Sequence, residues 1–155
     1  MSNQNRQQYD QQRLFQKRLE PGEHVTLPMV TGSMAPLIPA GAFIEVVAAP
    51  ADGRLTVGDV VVFRQGAKLV AHRLLFGCAL PAPGWFLQRG DGVSRIGFVT
   101  VGDIVGLVVA VRRAHDGRHD LTTASARHDA LRTARRTLYR LPWSWFRGVF
   151  RKDTP

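Results

Sequence analysis

Residues 58–76 read GDVVVFRQGAKLVAHRLLF. Val60–Arg64 and Lys68–Phe76 are two apolar arms rich in β-branched residues, and Gln65–Ala67 is a short glycine-containing turn between them. That pattern predicts a β-hairpin. Similar runs lie on either side: His24–Val30, Phe43–Ala48, Trp85–Arg89 and Phe98–Arg113. Turn residues separate them, among them Pro39–Gly41, Asp52-Gly53, Gly58-Asp59, Gly90–Gly92 and Gly102-Asp103. Many short strands with no helical stretch between them predict a mainly β fold with an antiparallel core.

The two ends depart from this pattern. Residues 1–23 form a polar, Gln-rich arm, in which Leu14, Phe15 and Leu19 would share one side of a short helix. A packed helix and a disordered arm both fit. The β core spans residues 24–113. Residues 122–155 form a basic, amphipathic helical tail. Thr122 or Thr123 caps it, Leu131, Ala134, Leu138 and Leu141 recur at helical spacing, and Pro142 ends the helix. An aromatic and basic turn follows, with Trp143, Trp145, Phe146, Val149 and Phe150 beside Arg147, Arg151 and Lys152.

The chain has 155 residues and a net charge of +9, which suits one domain. Six of those nine charges fall between Ala124 and Pro155, where eight Arg and Lys face Asp129 and Asp153. A basic tail fits anionic lipid, nucleic acid or an acidic partner, and equally a solvated helix face. The single cysteine, Cys78, cannot form an internal disulfide. No stretch approaches the roughly 20 apolar residues of a spanning helix, and no leader is visible. The expectation is a cytoplasmic protein, at most peripheral at the membrane through residues 127–152. A Trp/Phe face beside arginines suits an interfacial helix, and the same aromatics could fold back on the core. Nucleic acid is the less expected partner, because the residues before the β region leave no room for a helix-turn-helix.

Three short segments carry chemistry. Thr31-Gly-Ser-Met-Ala-Pro36 follows a strand directly and puts Ser33 in a turn. A serine is a weak nucleophile until a base takes its proton. Gly32 lets a substrate backbone come close, and the Ser33 N–H is a candidate oxyanion donor. Val70-Ala-His-Arg73 offers His72 as a general base. Alternation puts His72 on the face of Val70 and Leu74, with Arg73 opposite; a core histidine would look the same. Arg89-Gly-Asp-Gly92 offers Asp91 as a carboxylate to orient an imidazole, although Gly-Asp-Gly is also a common turn.

The ordered set T-G-S-M-A-P, G-D-V-V-V-F-R, V-A-H-R, R-G-D-G and V-G-D-I-V-G resembles the signal peptidase I superfamily, shared with the LexA-type repressors. The branch it most resembles is the archaeal and endoplasmic-reticulum type, which has a histidine where the bacterial and LexA-like branches use lysine. The resemblance covers Val30 to about Val109. It implies a LexA-like antiparallel β fold and a serine endopeptidase that cuts an extended peptide after small residues, without metal or cofactor. Ser33 matches the nucleophile, His72 the base and Asp91 the Gly-Asp turn. Gly32, Met34 and Pro36 match the box that shapes the nucleophile turn and substrate groove. Two departures stand out. Gly97 occupies the position of a further catalytic aspartate, and no acid lies between Asp91 and Asp103. The family's membrane anchor has no counterpart. A weak enzyme or an inactive peptide-binding relative is therefore the alternative.

Overall fold

The computed structural model describes residues 12–14, 16–50, 54–78, 84–114 and 117–139. Eight strands form one antiparallel sheet: β1 (His24–Pro28), β2 (Phe43–Val47), β3 (Val60–Gln65), β4 (Lys68–Cys78), β5 (Trp85–Arg89), β6 (Ile96–Thr100), β7 (Ile104–Arg113) and β8 (Gly117–Asp120). Their order is β1-β2-β7-β3-β4-β5-β6, and β8 pairs with β7 where β3 has left it. A helix, α1 (Ala124–Tyr139), follows. The fold is thus mainly β with a C-terminal helix, as the spacing of apolar runs predicts.

The 58–76 hairpin is the centre of the sheet. β3 and β4 pair from Val60↔Arg73 to Gln65↔Lys68, leaving Gly66 and Ala67 as a two-residue turn. Val60 to Phe63 are all buried, because both faces of β3 are covered. Val60 and Val62 join Leu27, Ile44, Val46 and Val111 on one face. Val61 and Phe63 join Leu74, Phe86, Val99 and Ile104 on the other. Full burial of a side chain such as Phe63 contributes about 1.5–3 kcal/mol. These residues fix the register, since a slip of one position would exchange the two faces.

One reading of the sequence needs correction, and one strand lies beyond the apolar runs. The run Phe98–Arg113 is not one strand: Val101–Asp103 form a 3-10 turn between β6 and β7, and β6 begins earlier, at Ile96. The Thr100 hydroxyl donates to Asp103 at 2.6 Å and tightens that turn. The short strand Gly117–Asp120, GRHD, lacks any β-type composition and is held by pairing with β7.

The N-terminal segment packs on the core. Residues 12–14 and 16 are helical, and Leu14 and Leu19 are buried with Val25 and Val105. The Leu19 N–H donates to the Val105 carbonyl, and Arg64 Nε donates to that of Leu14. Helix α1 is capped by Thr123, whose hydroxyl accepts from the Ala126 N–H at 3.2 Å. Ala134 is fully buried against Leu75, Leu87 and Ile96, with Leu138 beside it. Arg127, Arg132, Arg135 and Arg136 are exposed. Among the described residues no helix is long and apolar enough to cross a membrane. Leu141, Pro142 and the aromatic turn from Trp143 to Phe150 lie outside the described residues.

Candidate active site

The chain leaves β1 at Pro28 and runs through an exposed strip, Val30 to Gly32, before Ser33. Met34 and Ile38 then plunge into the core, both at 0% exposure. They bridge each other, with the Ile38 N–H donating to the Met34 carbonyl at 2.9 Å. The Ala35 N–H closes the turn on the Gly32 carbonyl. Ser33 is therefore half-buried on a turn pinned from inside by an apolar anchor. Beside it opens a cleft of about 450 Å³, lined by Met29, Val30, Lys68, Leu69 and Val70.

The turn after β5 crosses directly over this loop. The Gly92 N–H donates to the Ser33 carbonyl at 2.8 Å. A Cβ at Gly90 would collide with the Ser33 carbonyl oxygen and stand 3.0 Å from His72 Nε2. One at Gly92 would stand 2.9 Å from the Gly32 carbonyl and 3.0 Å from that of Ala35. Only glycine admits this approach of backbone to backbone. Ser33, His72 and the Gly90–Gly92 turn, far apart in sequence, thus meet at one point.

His72 lies on β4 opposite Val61, and its ring packs edge-on against Phe63 with centroids 5.9 Å apart. Nδ1 meets Gln88 Oε1 at 2.5 Å. Burial lowers the pKa of the ring, and the Gln88 contact and the Asp91 charge partly oppose that. The ring is thereby biased toward the neutral form that a general base requires. Among the described residues, the Ser33 hydroxyl accepts from Thr31 Oγ1 at 3.4 Å, and no hydrogen bond joins it to the ring.

Asp91 does not hold His72. Its carboxylate takes Arg73 Nε at 2.8 Å and Nη2 at 2.6 Å, while Arg73 Nη1 donates to the Gly58 carbonyl at 2.8 Å. Arg73 does point to the face opposite His72, as alternation predicts. Asp59 is the second half-hidden acid nearby. Burial raises its pKa, against hydrogen bonds from the Thr56 N–H and hydroxyl.

The residues expected to bind substrate separate. Gly32 is exposed, with open space where a Cβ would go. Met34 is core, so its side chain shapes the turn and cannot touch a peptide. Pro36 faces a different cleft, of about 980 Å³, between the sheet and α1, which Leu37, Arg73, Asp91 and Arg113 also line. The residue that sequence reasoning missed is Gln88, which is 3% exposed. An amide directly after the apolar run Trp85–Leu87 is the available signal, since a buried amide needs a partner. No family model, curated protein or solved structure matches the chain.

Proposed function

We propose that the protein is a serine endopeptidase of the signal-peptidase type, with Ser33 as nucleophile and His72 as general base. One observation carries this reading: the Ser33 carbonyl and His72 Nε2 crowd the same point above Gly90, beside an open cleft. An extended peptide with small side chains suits a cleft of apolar walls and backbone edges. His72 Nε2 would take the Ser33 proton as the hydroxyl attacks the scissile carbonyl. The N–H of Ser33, on the same turn, would receive the oxyanion. The protonated ring then gives its proton to the leaving amine, and water releases the acyl group from Ser33. Hydrogen bonds of this kind often tighten only when substrate binds. The same reading assigns the protein to the cytoplasm or a membrane surface, the latter through residues 127–152. Exposed arginines on α1 support that contact.

The test is cleavage of peptides carrying small residues, with Ser33→Ala and His72→Ala as controls. Cleavage lost in both variants supports the dyad; cleavage unchanged in either sinks it. A second reading, a peptide-binding relative without turnover, is favoured by the Ser33 hydroxyl's bond to Thr31 and by a His72 ring that, among the described residues, bonds an amide and no carboxylate. It predicts that peptide binds while a serine-directed phosphonate fails to label Ser33.

A further inference from the structure

Gly97 lies directly across from Gln88 in the β5–β6 pair. A Cβ at Gly97 would overlap the Gln88 amide nitrogen. The Gln88 side chain therefore lies over the bare glycine, and its other end reaches His72 Nδ1. An amide oxygen only accepts, so the neutral ring carries its proton on Nδ1 when bound this way. Its lone pair is then on Nε2, the atom that faces Gly90 and the Ser33 loop.

We infer that Gln88 is the positioning residue of His72: seated over Gly97, it fixes the ring tautomer and aims Nε2 at the Ser33 turn without adding a charge. The inference deepens the Ser33–His72 reading and rests on it for its catalytic consequence. Among the described residues, few groups face the ring. Strand β3 contributes Val61 and Phe63, β5 contributes Gln88, and the turn after β5 contributes Asp91, whose charge Arg73 matches. A neutral holder leaves the base free of protons at lower pH than a carboxylate holder would. The glycine and the glutamine form one device, because any side chain at 97 displaces the amide.

Nitrogen NMR of the full chain with labelled histidine tests this apart from any peptidase activity. The unmodified protein should show His72 mainly as the Nδ1–H tautomer. Gln88→Met keeps the volume and removes the acceptor, so both tautomers should appear. Gly97→Ala should do the same with Gln88 still present, which covers the case where the first variant folds poorly. Gln88→Glu should keep the tautomer and raise the His72 pKa by at least about one unit. An Nε2–H tautomer in the unmodified protein overturns the inference, as does a titration unmoved by all three variants. Where peptides are cleaved, Gln88→Met should lower kcat on the order of 100-fold with KM little changed. Gln88→Glu should restore it, with the acid limb of the profile moved to higher pH. If the tautomers behave as stated and neither peptide nor phosphonate reacts at Ser33, the peptidase reading fails and the role of Gln88 stands.

Discussion

Arg73 grips Asp91 along one edge of its guanidinium, Nε to Oδ1 at 2.8 Å and Nη2 to Oδ2 at 2.6 Å, with both side chains nearly out of water. The pair joins β4 to the turn that lies on the Ser33 loop. Asp91 thus serves the site through the backbone it holds, since its carboxylate is committed to Arg73.

Removing one partner should be far worse than removing both. Arg73→Ala leaves a buried carboxylate without its cation and should cost about 3–5 kcal/mol in urea unfolding. The double replacement Arg73→Met with Asp91→Leu should recover most of that loss. A double variant no more stable than the single one would show that the pair does not act as a unit.

The glycines over Ser33 make a second contrast. Gly90→Ala forces a methyl into the Ser33 carbonyl and His72 Nε2, and should destabilise by about 1–3 kcal/mol through overpacking. It should also abolish labelling of Ser33 by a phosphonate. Gly32→Ala meets open space and should change stability by no more than about 0.5 kcal/mol. Equal effects at the two positions would refute the crossing of the two loops.

Stability should depend on pH in a direction set by His72. Burial lowers its pKa in the folded state, so the unfolded chain takes up the proton first. The contribution is full above the unfolded value of about 6.5 and is lost as pH falls toward the folded value. His72→Gln should flatten this slope. Asp59 acts in the reverse sense: its raised pKa means that the folded state binds the proton first, which favours folding as pH falls through that pKa. Asp59→Asn should therefore steepen the acid-side loss, as measured by urea midpoints at a series of pH values.

The hairpin, the antiparallel class and the Thr-capped helix were legible because each rests on local pattern. A run of valines, a Gly turn and a cap residue act within a few positions of themselves. The strand GRHD was not legible, since β7 holds it through backbone bonds that do not depend on side-chain type. The meeting of Ser33, His72 and Gly90 was suggested by motif order, yet the partners of His72 and Asp91 were not. Those depend on cross-strand register: Gln88 sits opposite Gly97 only because of how β5 and β6 align. The sequence offers Asp91 to His72 only because it stands in a tight Gly-Asp-Gly turn after a strand, which says nothing of the partner its carboxylate takes. Arg73, one residue from His72 and on the other face, outcompetes it with two hydrogen bonds.

Met34 follows from the same logic and gives the last test. Its side chain is fully enclosed among Ile38, Ile44 and the neighbouring core, one residue from Ser33. Met34→Ala should cost about 2–5 kcal/mol, since the surrounding sheet collapses only partly into the cavity. Met34→Leu preserves volume and should cost less than about 1.5 kcal/mol. If the anchor also sets the height of Ser33, phosphonate labelling measured well below the melting temperature should drop in Met34→Ala and persist in Met34→Leu. Labelling that survives in Met34→Ala would mean that the Gly92 bond to the Ser33 carbonyl suffices to hold the turn, and that Met34 contributes stability alone.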